Sequence, residues 1–538
     1  MRRERRRADP AKIDTVFGSA DAQECARACA EHRPPGVEGK VVPVSVTETQ
    51  VAATQDAVRR PAVTAGPRRH EHWINGRAVA PAEGAYFATH NPANREPGDT
   101  IAAGTAADVE LAVTTAAAAW PGWAARPARE RSDVLHAVAD AMAAATDELA
   151  ELEWTSTGKV PGQVAFEIGL SVDYFRYYAG VVRALNGRTI DLGAGAHAYT
   201  RLEPYGVIGA ITPWNLPLNQ ASRALAPALA VGNAIVAKPS EFTATSTVLL
   251  ARLATQAGLP DGLLNVVTGT GPEVGSPLAA HPLVRKVAFT GSVATGRHLA
   301  QVAGDRLIPL TLELGGKSPV VVFADADLDR AAAAAAAAIQ TNSGQVCSAT
   351  TRLLVEGSVH DEVVARIVER LERLEPGVDF GPIITEAQFG KVLAAFADAS
   401  RDGLTPLTGG AAYADGPGAA GQYVRPTVYA DVPLTHPLAR EEVFGPVLVT
   451  RRFSDERDAV AAANDTDFGL VASVWSGDVA RGLRVAERID AGQVAVNGGP
   501  LTNETPFGGY KNSGFGREKG LEALHDYAQT KTVSLSLG

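Results

Sequence analysis

The chain has 538 residues, enough for two or three domains with substantial cores. Hydrophobic residues make up 46% and charged residues 20%, an ordinary balance for a globular protein. A net charge of −10 excludes a general nucleic-acid binder, because no broad basic surface is there to neutralise phosphates. Residues 1–70 run against that balance, with 13 Lys and Arg against 9 Asp and Glu. They lack sustained periodicity and read as a disordered extension or a translation-start artefact. The opening Arg2-Arg3-Glu4-Arg5-Arg6-Arg7 is followed by no apolar stretch, so it is no secretory signal, and Asp9, Asp14, Asp21 and Glu24 count against an organellar transit peptide. Cys25, Cys29 and His32 lack a fourth ligand and read as one helical turn, so no metal is expected. With Cys347, three cysteines are too few for a disulfide framework, which points to a reducing cytoplasm. No apolar run approaches the ~18–20 residues that span a bilayer.

Folded sequence is expected from about His72-Trp73-Ile74-Asn75-Gly76, where Asn-Gly signals a hairpin turn. Helical patterning follows over 106–119 and 127–152, with Thr105 and Ser132 as candidate caps. An apolar strand, 207–212, leads into Pro213-Trp214-Asn215. A helix over 219–230 ends at Gly232, a strand over 234–237 stops at Lys238-Pro239, and a helix over 243–257 leads to a strand at 264–267. Lys286-Val287-Ala288-Phe289 then opens onto Thr290-Gly291-Ser292. Short apolar strands alternating with helices describe βαβ units and a parallel sheet, an α/β fold. A second α/β stretch starts near 317, with helices near 328–340, 359–373 and 386–401. Residues 530–537 alternate polar and apolar like an exposed edge strand, which invites pairing with another subunit.

The chemistry concentrates in two segments. Leu312-Glu313-Leu314-Gly315-Gly316-Lys317 sets a carboxylate at the end of a strand, and Asn342-Ser343-Gly344-Gln345-Val346-Cys347 sets a thiol in a loop after an alanine-rich helix. Taken alone, Cys347 reads more readily as an inert core thiol and Glu313 as a solvated strand-terminal charge. Together they supply the nucleophile and the base needed to form a thioester and hydrolyse it. Asn215, beyond another strand end, offers an amide that with the Cys347 N–H would hold an oxyanion. Gly291-Ser292-Val293-Ala294-Thr295-Gly296 follows a strand and opens a helix, where backbone N–H groups can hold a pyrophosphate. Lys238 and Glu241 lie at the C-terminal end of another strand, the usual ligand crevice of such sheets. A carboxylate there accepts both ribose hydroxyls and repels a 2′-phosphate, so Glu241 favours NAD over NADP; the bland reading is a solvated Lys/Glu pair.

These segments, in this order, together with Glu441-Glu442-Val443-Phe444-Gly445-Pro446 and Pro506-Phe507-Gly508-Gly509-Tyr510-Lys511-Asn512-Ser513-Gly514, resemble the aldehyde dehydrogenase superfamily from about residue 72 onward. The resemblance implies a Rossmann-type NAD-binding domain over 71–185 and 205–316 and an α/β catalytic domain over 317–512. A small β oligomerisation arm from 186–204 and 526–538 would complete a homodimer or homotetramer. It implies NAD as cofactor, with Trp214, Gly291 and Ser292 at the pyrophosphate and Glu442 and Phe444 at the nicotinamide ribose and ring. Cys347 would attack an aldehyde, Asn215 steady the oxyanion, and Glu313 activate water.

Ala224 stands where many members carry Lys, which removes any proton relay through that lysine. Gln340 and Thr341 stand where the motif usually has apolar residues. Arg223 lies where the family's substrate tunnel runs and would bind a carboxylate or stack on an aromatic ring; the alternative is an Arg salt-bridged at the tunnel rim. With Gln220, Val346, Ser348 and Leu501 it would make a mouth more polar than long alkyl aldehydes need, pointing to semialdehydes or aromatic aldehydes. A CoA-acylating semialdehyde dehydrogenase is the second enzymatic reading, against which Glu313 counts. A non-catalytic NAD-binding protein on the same fold is the third.

Overall fold

The structure is a computed structural model that describes residues 66–537. The segment holding Cys25, Cys29 and His32 lies outside the described residues. Strand pairing begins at Arg69–His70, which runs parallel to Thr100–Ile101, three residues before the expected start. The Asn-Gly turn forms as its sequence dictates. His72–Ile74 and Arg77–Val79 pair antiparallel, and Asn75 and Gly76 both take positive φ, 54° and 70°.

An eight-stranded sheet dominates the first half of the chain. Its parallel centre runs, in spatial order, Leu310–Glu313, Val284–Thr290, Val207–Ile211, Ala234–Lys238 and Leu264–Val266. The hairpin closes one edge and Gly514–Phe515, antiparallel to Leu312–Glu313, closes the other. Val207–Ile211 and Ala234–Lys238 are buried at every residue, as a parallel sheet covered on both faces requires. The chain winds from Val207–Ile211 outward through two strands, then returns to place Val284–Thr290 on the opposite side. That reversal opens a crevice beyond the C-terminal ends of these two strands. Residues 212–215 and 290–292 therefore face one another, with Glu313 ending the next strand.

A second sheet, parallel throughout, runs Thr427–Tyr429, Val447–Phe453, Arg352–Glu356, Pro319–Val322, Val471–Trp475, Gln493–Val496. Buried aliphatic clusters cover both of its faces. The expected helices at 328–340 and 386–401 form over those residues, and that near 359–373 over His360–Glu372. The C-terminal strand, Ala528–Ser536, pairs antiparallel with Ala196–Pro204 in a three-stranded sheet of which it is an outer strand.

The stretch 127–152 is two helices rather than one, Ala128–Ala144 and Thr146–Thr157, broken at Ala145. Ser132 is not a cap. It sits inside the first helix, which Pro127 starts, and its buried hydroxyl donates to the Ala179 carbonyl instead. Thr105 caps Ala106–Ala124 in a capping box: its hydroxyl accepts the Ala107 N–H at 3.3 Å, and Asp108 accepts the Thr105 N–H at 2.9 Å. Thr105→Ala removes one half of that box and is expected to cost about 1 kcal/mol. The measurement is an earlier midpoint in urea at unchanged slope; Thr105→Ser should restore it.

Candidate active site

The thiol reaches the crevice from the side of the second sheet. Helix Leu328–Gln340 runs into a tight turn in which Asn342, Ser343 and Gly344 all adopt left-handed φ of 50°, 53° and 71°. Side chains hold this conformation. The Gln345 amide donates to the Asn342 and Pro382 carbonyls at 2.7 and 3.0 Å and accepts the Ile384 N–H at 2.8 Å. Asn342 donates to the carbonyls of Asn215 and Gln345, and Asn215 donates to the Gln345 carbonyl at 2.8 Å. The loop carrying Cys347 is thus tied directly to Asn215. One Asn215 amide hydrogen is spent on that tie and one is left for an incoming oxygen. Among the described residues no carbonyl receives the Cys347 N–H, so both donors of an oxyanion hole are available.

Cys347 is 9% exposed and packs with Leu470, Val471 and Phe507. Burial pushes its thiol up to about 12; the Arg223 guanidinium pulls it down, while Glu313, Glu442 and Glu518 push it further up. Glu313 is 1% exposed, and neither of its carboxylate oxygens has a hydrogen-bond partner. Burial raises its pKa well above the usual carboxylate range, Glu518 raises it further, and Arg223 and Arg517 oppose the shift. In the free protein Cys347 is therefore a neutral thiol at pH 7, and burial biases Glu313 toward its protonated form.

A cavity of about 740 Å³ reaches these groups. Pro213, Trp214, Asn215 and Gln220 line it, with Thr290, Gly291 and Ser292, Glu313 and Cys347, and Glu442 and Phe444. Trp214 and Phe444 meet edge to face at 5.5 Å. Phe444 is held in a left-handed conformation (φ 55°) by Gln388, whose amide donates to the Val443 and Phe444 carbonyls at 2.8 and 3.0 Å. Glu442 accepts the Gly316 N–H at 2.9 Å, and burial lifts its carboxyl to about 7. Ser292 lines the cavity and caps helix Val293–Arg306, so the N-terminus of that helix starts next to the cavity wall. The volume suits a large ligand, and the lining combines an anion-holding helix start with aromatic faces and a carboxylate. A dinucleotide fits that set.

Other expected site residues fall elsewhere. Lys238 and Glu241 do not line this cavity and pair with each other at 3.2 Å, next to the crevice at the end of the neighbouring strand. Burial lowers the Lys238 pKa and Glu241 opposes the shift. Thr341 is exposed where helix Leu328–Gln340 ends, and Leu501 is 43% exposed; neither lines the cavity. Arg223 is not at a rim. It is 4% exposed, its Nε donates to Glu518 in a buried ion pair, and its guanidinium carbon lies 4.3 Å from the centre of the Phe507 ring. Gln220 does reach the cavity, 2% exposed and with neither amide atom hydrogen-bonded. Sequence reasoning missed Gln388, Gln345 and Glu518. Glu518 was visible only as a charge in the glycine-flanked run Gly516-Arg517-Glu518-Lys519-Gly520.

Comparison with known proteins gives the same picture. The model of the aldehyde dehydrogenase family matches residues 79–533. The chain is similar to an NAD-dependent aldehyde dehydrogenase of Sinorhizobium meliloti, 40% identical over 87% of this chain and 95% of that one, with a TM-score of 0.85. A betaine aldehyde dehydrogenase of Staphylococcus aureus in complex with NAD+ is 33% identical over 90% and 96%, also with a TM-score of 0.85. A point mutant of an aldehyde dehydrogenase of Bacillus cereus is 35% identical over 91% and 99%, again with a TM-score of 0.85.

The neutral thiol has a direct consequence. Alkylation of Cys347 in the free protein by iodoacetamide, followed by peptide mass spectrometry, should rise about tenfold per pH unit from pH 7 to 9 without a plateau. A plateau reached by pH 7 would mean a resting thiolate.

Proposed function

The chain belongs to the aldehyde dehydrogenase family, and we propose that within it Cys347, Asn215 and Glu313 carry out the oxidation of an aldehyde to its acid. The observation that supports this most is the meeting of a buried thiol, two free N–H donors and a buried carboxyl with no hydrogen-bond partner, all at one cavity. NAD is the hydride acceptor of the reaction. Trp214, Gly291 and Ser292 would hold its pyrophosphate and Glu442 and Phe444 its nicotinamide ribose and ring, with Lys238 and Glu241 at the adenosine ribose.

Cys347 loses its proton and its sulfur attacks the carbonyl carbon. The Asn215 amide and the Cys347 N–H take the developing oxyanion, geometry fixed in advance by the Gln345 and Asn342 hydrogen bonds. Bound NAD would supply the hydride acceptor, and with the hydride gone the tetrahedral adduct on Cys347 would become a thioester. Glu313, once ionised, takes a proton from water, and the hydroxide displaces the sulfur to give the acid. A carboxyl shielded from water and raised in pKa is a stronger base than an exposed one, at the cost of being protonated until pH or a cation favours its ionised form. Deacylation should therefore accelerate as pH rises.

We read the chain further as a cytoplasmic homodimer or homotetramer. Support comes from the outer strand Ala528–Ser536, mostly exposed and open on one side to pairing with a second copy. Among the described residues no helix is long and apolar enough to cross a membrane.

Glu313→Gln should retain a burst of about one NADH per active site and then fall about a hundred- to ten-thousand-fold in steady turnover. The acyl group should remain on Cys347 in the intact mass. Loss of the burst itself would place Glu313 in the first half of the reaction. Free acid as product of the unaltered protein is expected; acyl-CoA formed in the presence of CoA would favour the acylating reading, and NAD binding without turnover of any aldehyde the non-catalytic one.

A further inference from the structure

Three buried ionisable side chains lie outside the cavity and take no part in the mechanism. Glu153, Lys159 and Glu167 are 1%, 1% and 4% exposed, and none of them lines the cavity. Lys159 donates to Glu167 at 2.5 Å, and its charge also acts on Glu153. Burying such groups together is costly unless their oxygens and protons find partners. The partners found here belong to the two segments that carry the oxyanion donors.

Helix Thr146–Thr157 supplies Glu153 and turns through the left-handed Gly158 (φ 66°) into Lys159 and helix Pro161–Val181. Glu153 accepts the Leu218 N–H at 3.0 Å, in the first turn of helix Pro217–Val231, which begins just after Asn215. Gln163, in the first turn of its own helix, reaches the other segment. Its amide nitrogen donates to Glu167 at 2.9 Å, and its amide oxygen accepts the Asn342 N–H at 3.2 Å. Asn342 opens the left-handed turn before Cys347, and its side chain donates to the Asn215 carbonyl at 2.9 Å. The backbones pack as closely. A methyl group at Gly381 would lie 3.1 Å from the Lys159 Cα, and one at Gly158 would lie 2.8 Å from Pro382 Cγ. The Gly381 and Pro382 carbonyls in turn accept from Ser343 and Gln345 of the thiol loop.

We propose that Gln163 is a positioning residue for the oxyanion hole. Anchored by the Lys159–Glu167 pair, it holds the turn at Asn342 and so sets the spacing between the Asn215 amide and the Cys347 N–H, while Glu153 fixes the Asn215 side at Leu218. Gln163 does not line the cavity and acts through Asn342. The inference rests on the reading of Asn215 as an oxyanion donor.

The test is a double-mutant cycle in the full-length protein with NAD and whichever of succinic semialdehyde, benzaldehyde and acetaldehyde it oxidises best. Asn215→Ala should lower kcat/KM about a hundred- to a thousandfold. Gln163→Met, similar in length but unable to bridge, should lower it about tenfold through kcat, with NAD affinity and the alkylation rate of Cys347 unchanged. Gln163→Asn, too short to span both partners, should do the same, and a thermal melt of each variant reports whether the fold is kept. In the Asn215→Ala background Gln163→Met should cost only about twofold, because the donor it positions is gone. Losses that multiply in full, or a matching fall in NAD affinity, would show a general structural role and overturn the proposal. Full activity in both Gln163 variants would overturn it too, with the oxyanion reading intact. Full activity in Asn215→Ala, or no turnover of any aldehyde, would overturn that reading and this one with it.

Discussion

Two backbone segments touch at the centre of this protein, and a side chain at either would force them apart. A methyl group at Gly316 would lie 2.7 Å from the Cys347 carbonyl oxygen, well inside contact distance. The same glycine gives its N–H to Glu442, so one residue sets the thiol loop against the Glu313 strand and fixes a carboxylate of the cavity wall. Gly508 plays the matching part on the far side, where a methyl group would sit 2.9 Å from Glu313 Oε1. Ser513 then ties the strand end down, its hydroxyl donating to the Gly315 carbonyl and accepting the Gly469 N–H. The first sheet delivers the carboxyl, the second delivers the thiol, and the close approach at Gly316 brings both to one cavity.

Dryness is what gives the site its electrostatic character. Glu313 is 1% exposed and Cys347 9%, and burial disfavours the charged form of each. The one permanently buried ion pair nearby, Arg223 with Glu518, is balanced internally, and removing either member would strand the other at a cost of about 3–5 kcal/mol. Its two ends act on both reactive groups in opposite senses, Glu518 raising and Arg223 lowering the carboxyl and the thiol alike. Charge is thus created during the reaction, against donors already in place, which is the arrangement that needs least reorganisation.

Much of this was legible in the sequence because each part obeys a local rule. Apolar runs of four or five residues between helices dictate a parallel sheet, and the ends of those runs dictate where Asn215, Ser292 and Glu313 stand. Asn75-Gly76 names its own turn, and Thr105 with Asp108 names its own cap. What stayed hidden depends on partners distant in sequence. Arg223 and Glu518 are 295 residues apart, and no periodicity announces that the first is neutralised by the second. Ser132 failed as a cap because Pro127 starts the helix earlier and burial turns its hydroxyl inward. Thr341 and Leu501 were placed by motif position alone, and motif position does not report which way a side chain faces.

The thiol of Cys347 and the carboxyl of Glu313 meet at one cavity, each pushed by burial toward its uncharged form. Infrared difference spectra of the free protein at pH 7, unaltered against Glu313→Gln and against Cys347→Ala, read both protonation states directly. The first difference should contain the C=O stretch of a protonated carboxylic acid, and the second the S–H stretch of a buried thiol. Carboxylate bands in the first and no S–H band in the second would show a pre-ionised pair, the opposite of what burial of the two groups implies.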